Sequence, residues 1–249
     1  MILYSRISLI GTTPCQVGIS GDGGTVAMIL PEIVGKFSII KKNGPEISIN
    51  EVETGHDSHL PIGRKSIPTL SYSGDRIAIP YFVGNGENKH GRFEAYLTTV
   101  YNFTHPEMTS LTLPYVGSMA TISDNGETVA ILNSELRKIT LISTDKRSAE
   151  VMIPIDFELS HRYSLTFVDE DSSLVLISGS SDSPLAISYS VKERFWTAIT
   201  DLPNRLEWIE FGEIIRSHNG RVEVHNEYLC KPVKPEAQLV FRQIIQLVG

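Results

Sequence analysis

GISGDGGTVAMIL (residues 18–30), TLSYSGDRIAIPY (69–81), ATISDNGETVAIL (120–132) and LTFVDEDSSLVLI (165–177) are versions of one sentence. Each reads as a short apolar strand closing on a small or polar residue, then an Asp/Asn/Gly turn, then a second strand of the type Val-Ala-Ile. Self-similarity at a near-fixed period marks a repeat architecture. Asp22-Gly23, Gly74-Asp75 and Asn125-Gly126 are the residue types that tolerate φ > 0, so each turn is expected to be a two-residue hairpin. Glu170-Asp171 lacks the glycine, and a longer, looser turn is expected there.

The residue before each turn motif gives the period. Ile19, Leu70, Ile122 and Phe167 recur at spacings of 51, 52 and 45 residues, and a weaker copy around RLEWIEFGEIIRS adds Ile209 after another 42. A strand-rich unit of about 40–50 residues is the size of one propeller blade of four antiparallel strands. Five such units fill the 249 residues. The expected fold class is therefore all-β: a β-propeller of five blades over residues 1–249 as one domain. The strands before the turns carry small side chains (Gly18, Ser20, Thr69, Ser71, Ala120, Ser164, Thr166), as crowding around an axis requires. The strands after them, such as Val26–Ile29 and Val129–Leu132, are continuous apolar runs, the pattern of burial on both faces.

The S-x-D-G-x-x-V-A pattern resembles the blades of WD40-like and TolB-like propeller repeats, over essentially the whole chain. The Gly-His and Trp-Asp signatures of WD40 blades are missing, since neither Trp196 nor Trp208 precedes Asp. No functional residue of that family can be carried over.

Propellers commonly close by letting one terminus complete the last blade, which removes exposed edges. Ile2–Ile10 is expected to do so, beside Arg221–His225, in a blade otherwise built from Arg205–Phe211, Glu213–Ser217 and Arg221–His225. The apolar segment 236–249 then becomes surplus: a last strand or short helix packed on the propeller, or a tail that docks on a partner through Phe241, Ile244 and Ile245.

Composition narrows the function. Net charge is −7 with dispersed basic residues, which argues against nucleic-acid or anionic-membrane binding. No apolar run approaches the ~18 residues of a membrane span, and the first residues lack the pattern of a secretory signal. The expected location is the cytoplasm or a virus particle. Cys15 and Cys230 are too few for a disulfide framework; they lie near opposite ends, where ring closure would bring them together, but are read as free thiols.

Chemical motifs are weak. A propeller glycosidase needs carboxylates converging from different sides of the funnel, and Glu207 and Glu210 share one strand. His56-Asp57-Ser58-His59 offers zinc-ligand types without a nameable third ligand, and Gly84–Lys89 lacks the spacing of a phosphate loop. No catalytic residue, cofactor or metal is expected. The favoured function is a non-enzymatic protein-interaction or assembly scaffold, such as a structural component of a virus or phage particle, with protein partners or sister subunits. A lectin-like glycan binder and a propeller glycoside hydrolase are the alternatives. The long connection Gly84–Gly91, with Asn85, Asn88, Lys89 and His90, is the first candidate contact surface, because loops on rigid scaffolds carry recognition. Trp196 and Trp208 are further candidates, since an exposed aromatic pair anchors partners, although packing between blades is the favoured reading of both.

Overall fold

The computed structural model describes residues 2–9, 16–29, 35–43, 46–54, 67–88, 91–104, 107–143, 147–159, 163–168, 170–180, 183–199, 214–216, 222–228 and 239–247. Among them the chain forms five four-stranded antiparallel sheets. The first contains β2 (Gln16–Ile19), β3 (Thr25–Ile29), β4 (Lys36–Asn43) and β5 (Glu46–Glu53). The second contains β6 (Thr69–Leu70), β7 (Arg76–Asn88), β8 (Gly91–Asn102) and β9 (Thr109–Gly117). The third contains β10 (Met119–Ile122), β11 (Thr128–Asn133), β12 (Lys138–Ser143) and β13 (Ser148–Met152). The fourth contains β14 (Tyr163–Val168), β15 (Ser173–Ser180), β16 (Ser183–Ser190) and β17 (Trp196–Ile199). The remaining sheet runs β18 (Ile214–Arg216), β19 (Val222–Tyr228), β20 (Leu239–Leu247) and then β1 (Ile2–Leu9).

The first strands of these sheets neighbour one another in turn: β18 lies beside β2, β2 beside β6, β6 beside β10 and β10 beside β14. Each sheet radiates outward from that inner row. The fold is a β-propeller. No helix among the described residues is long and apolar enough to cross a membrane.

The continuous apolar runs do what double burial requires. In β11, Ala130 and Leu132 pack with the fourth sheet, while Val129 and Ile131 pack with the second. In β7, Ile77, Ile79 and Tyr81 face the first sheet and Ala78 faces the third. Side chains alternate across a strand, so one run fills two inter-blade cores. The small residues on the inner strands are equally necessary. A Cβ added at Gly18 would collide with the Pro68 carbonyl oxygen of the next blade.

Closure differs from expectation. The amino-terminal strand does complete the last sheet, but it pairs with β20, in the register Ile2↔Gln246 to Leu9↔Leu239, and not with Arg221–His225. That second segment, as β19, pairs β20 on its other edge. The apolar carboxy-terminal segment is thus a blade strand inserted between the two; β1 keeps the fourth place, and β18 and β19 each stand one place further in than expected. Glu213–Ser217, expected as the second strand, holds β18 in the inner position beside β2. The expected inner strand Arg205–Phe211, with Glu207, Glu210 and Trp208, lies outside the described residues.

Candidate interaction site

Two surfaces invite comparison: the face built by the repeated turns and a hairpin projecting from the second blade. In the turns, the residue that recurs for a structural reason is the serine that opens each one. Ser20, Ser71 and Ser123 are at most 2% exposed. Their hydroxyls accept the backbone N–H of Thr25 (2.9 Å), Arg76 (3.1 Å) and Thr128 (2.9 Å). Each serine backbone N–H also donates to the carbonyl of that same residue, at 2.8–2.9 Å. The connection therefore spans four residues between these pairs, not the two expected. Gly23, Gly74 and Gly126 take its positive φ, at 72°, 71° and 72°.

The fourth turn corrects a second expectation. Val168 pairs with Ser173, so this turn also spans four residues and is no longer than the others. Asp171 adopts the positive φ (68°) that glycine takes elsewhere, as Asp does more readily than most residues. Its carboxylate also accepts the backbone N–H groups of Asp124 (2.6 Å) and Asn125 (3.0 Å) from the third blade's turn. Neighbouring turns are joined in the same way further round: the Asp22 N–H donates to the Tyr72 carbonyl (2.9 Å), and the Tyr72 N–H to that of Asp124 (2.7 Å). This face is a set of backbone clamps between blades.

The hairpin is different. Gly84–Gly91 is not the loop expected from its Gly/Asn content. β7 continues to Asn88 and β8 resumes at Gly91, with the rungs Gly84↔Ala95, Asn85↔Glu94, Gly86↔Phe93, Glu87↔Arg92 and Asn88↔Gly91. Only Lys89 and His90 remain between the strands, and they lie outside the described residues. Paired strands absorb Gly and Asn here because the ladder supplies the hydrogen bonds whatever the side chain, and Glu87 stands opposite Arg92, a favourable cross-strand combination.

The other strands of this sheet stop short. β6 pairs β7 at Thr69↔Ala78 and Leu70↔Ile77, and the last β9 rung on β8 is Tyr96↔Gly117. Beyond Tyr96 the hairpin is a two-stranded arm, and at five rungs of ~3.3 Å each it reaches roughly 17 Å. A bulge between Phe82 and Gly84 marks its base, where Val83 is 38% exposed. Bulges bend a strand and increase its twist.

The remaining candidates fall elsewhere. Trp196 is half-buried between blades: its indole N–H donates to the Met152 carbonyl (2.9 Å), and its ring lies 5.1 Å from that of Tyr189. Phe241, Ile244 and Ile245 sit on β20, opposite Ile7, Tyr4 and Leu3 on one side and Tyr228, His225 and Val224 on the other. Trp208, Cys15, Cys230, His56 and His59 lie outside the described residues. Among the described residues, no group of three His, Cys, Asp or Glu is placed to hold a metal ion.

One buried polar group has no counterpart in the sequence analysis. The Tyr81 and Tyr101 hydroxyls meet at 2.7 Å, and that of Tyr101 donates to the Thr54 carbonyl at 3.2 Å, tying the first two blades together. Burial pushes the Tyr101 phenol up to about 12, offset in part by the hydrogen bond from Tyr81. Burial, then the neighbouring Tyr101, pushes Tyr81 further up still.

No protein-family model matches the chain, and no curated protein does. Solved structures similar to it include TolB from Acinetobacter baumannii, at 12% identity and a TM-score of 0.47, covering 93% of this chain and 54% of that one. YjhT is similar at 9% identity and a TM-score of 0.49, covering 86% of this chain and 73% of that one. Oligogalacturonate lyase in complex with manganese follows at 12% and 0.46, covering 85% and 57%. The chain spans about half the length of the TolB structure it matches.

Proposed function

We propose that the chain is a non-enzymatic protein-interaction or assembly module that uses the arm Gly84–Ala95 as its docking element. The observation that carries this reading is the unshared length of the arm: five rungs continue past the last rung of either flanking strand. A strand edge left unpaired is a template for another strand, which proteins cover or blunt unless it is used. An arm held at one end by a rigid blade offers that template without disturbing the cores.

Replacing Val83–Ala95 by Asn-Gly joins Phe82 to Tyr96 through a two-residue turn and removes the arm alone. The shortened protein is expected to fold. The fraction that co-sediments with its native assembly should fall more than tenfold, equivalent to ~1.4 kcal/mol. Undiminished incorporation overturns the reading. So does hydrolysis of an arabinan or fructan that persists without the arm.

A further inference from the structure

The arm's own sequence names an occupant for its edge. Every β8 residue from Gly91 to Tyr96 has a rung on β7, the bulge between Phe82 and Gly84 adding its extra residue to β7 alone, and the two-residue end makes Asn88↔Gly91 a hydrogen-bonded rung. Alternation then makes Gly86↔Phe93 a bonded rung, and turns the backbone N–H and C=O of Arg92 and Glu94 outward. Tyr96, two residues further on, has the same parity, and its outward side is where β9 pairs. The outward groups at 92 and 94 continue that line past the end of β9, and no strand among the described residues pairs with them.

GRFEA (Gly91–Ala95) is complementary to itself when two copies run antiparallel about Phe93. That register sets Arg92 of one copy opposite Glu94 of the other, twice, and Phe93 opposite Phe93. Opposite charges and aromatic pairs at facing positions each favour strand pairing, and like charges disfavour it. A slip of one residue sets Arg92 opposite Phe93 and forfeits both ionic pairs.

We propose that the outer edge of Gly91–Ala95 docks against the same edge of a second copy, so that two β7–β8 arms join into one four-stranded sheet about a two-fold axis. Arg92 and Glu94 each exchange two backbone hydrogen bonds with the other copy. A two-fold contact uses the same patch on both partners, which is what this self-complementary edge provides. The inference rests on the arm being the docking element and adds the identity of the partner.

The register makes the test specific. In full-length protein carrying Cys15→Ser and Cys230→Ser, Phe93→Cys should form a disulfide-linked dimer on mild oxidation. Facing residues in a non-bonded antiparallel rung have Cα atoms about 4.5 Å apart, within disulfide reach. Arg92→Cys alone and Glu94→Cys alone should cross-link at least tenfold more slowly, because each faces the other position. An equal mixture of those two variants should cross-link as readily as Phe93→Cys, and it leaves Phe93 in place. Sedimentation of the unmodified protein should show a concentration-dependent dimer at twice 27.6 kDa. Arg92→Glu should abolish that dimer, and Arg92→Glu combined with Glu94→Arg should restore it.

A protein monomeric up to about 1 mM, or cross-linking that is equal at all three positions, overturns the proposal. If the chain is monomeric yet loses its assembly when the arm is removed, the second copy is excluded while the docking role stands. If arm removal changes neither property, both fall.

Discussion

The repeated turns and the second-blade arm both draw on Gly and Asn, and use them in opposite ways. In the turns those residues are locked between blades. Gly74 lies against Thr25 of the preceding blade, where any Cβ would collide with it, and Gly126 lies against Arg76, whose guanidinium donates to the Gly126 carbonyl (2.8 Å). In the arm, added Cβ atoms at Gly84 would meet nothing within 4 Å. Glycine therefore marks close approach in one region and permissive backbone in the other, and the sequence alone does not separate the two. The lesson is that a surface rich in turn residues is rigid where neighbouring blades hold its backbone and adaptable where only its own hairpin does.

Four expectations would break or sharpen this contrast. The largest effect belongs to Gly18→Val on the inner row, where the added atoms meet the Pro68 backbone. Overpacking there should cost about 3 kcal/mol, read as a fall in denaturant midpoint without a change in slope. A variant that melts like wild type would show that the inner row is looser than described.

Next come the buried serines. Ser71→Ala removes the acceptor of the Arg76 N–H inside the turn and should cost about 1–2 kcal/mol. Asn85→Ala, on the arm, should stay within about 0.5 kcal/mol of wild type. Equal costs at the two positions would erase the distinction between the regions.

A smaller, pH-dependent effect comes from the tyrosine pair. An unfolded phenol releases its proton near 10, whereas the folded Tyr101 holds it to about 12. Between those values the unfolded state binds fewer protons, so stability falls as pH rises and is fully present below pH 10. Combining Tyr81→Phe with Tyr101→Phe should flatten this alkaline decline relative to wild type in melts from pH 9 to 12. An unchanged slope would place the decline in other groups.

A small effect on stability is also expected from deleting the arm, which contributes nothing to the inter-blade cores described. Replacing Val83–Ala95 with Asn-Gly should shift the melting midpoint by no more than a few degrees, about 1 kcal/mol for a chain of this size. A large loss would mean that the arm is clamped as the turns are.

The propeller was legible because Ser20, Ser71 and Ser123 repeat a buried hydrogen bond that the sequence must respell in each blade. The turns are two residues longer than Asp22-Gly23 and Asn125-Gly126 suggest, because the serine sets where the ladder stops. The arm resembles a loop in sequence for a related reason: GNGENKHG has turn composition, and strand pairing at a hairpin depends on register more than on propensity. The carboxy-terminal segment was obscure because Leu239, Val240 and Phe241, then Ile244 and Ile245, are apolar at both parities, which blurs helix and strand periods alike. A strand between two others in a blade carries that signature, as β11 does with Val129–Leu132. The edge that the second-blade hairpin presents depends on pairing between residues far apart in the chain, which no local pattern reports.

The fastening of the ring has a consequence for the order in which the protein can be made. β1 leaves the ribosome roughly 230 residues before β20, the strand it pairs with. At ~5–20 residues per second, that wait lasts tens of seconds. Throughout it, ILYSRISL has Arg6 as its single charge and no proline to spoil an edge. Growing chains on one message would be at their most adhesive in that interval. The sheets from β2 to β17 can form in sequence as they emerge, but β1 finds its partner only once residues 239–247 have emerged. Chaperone demand during translation should therefore track the time spent waiting for residues 239–247, whatever the stability of the finished fold.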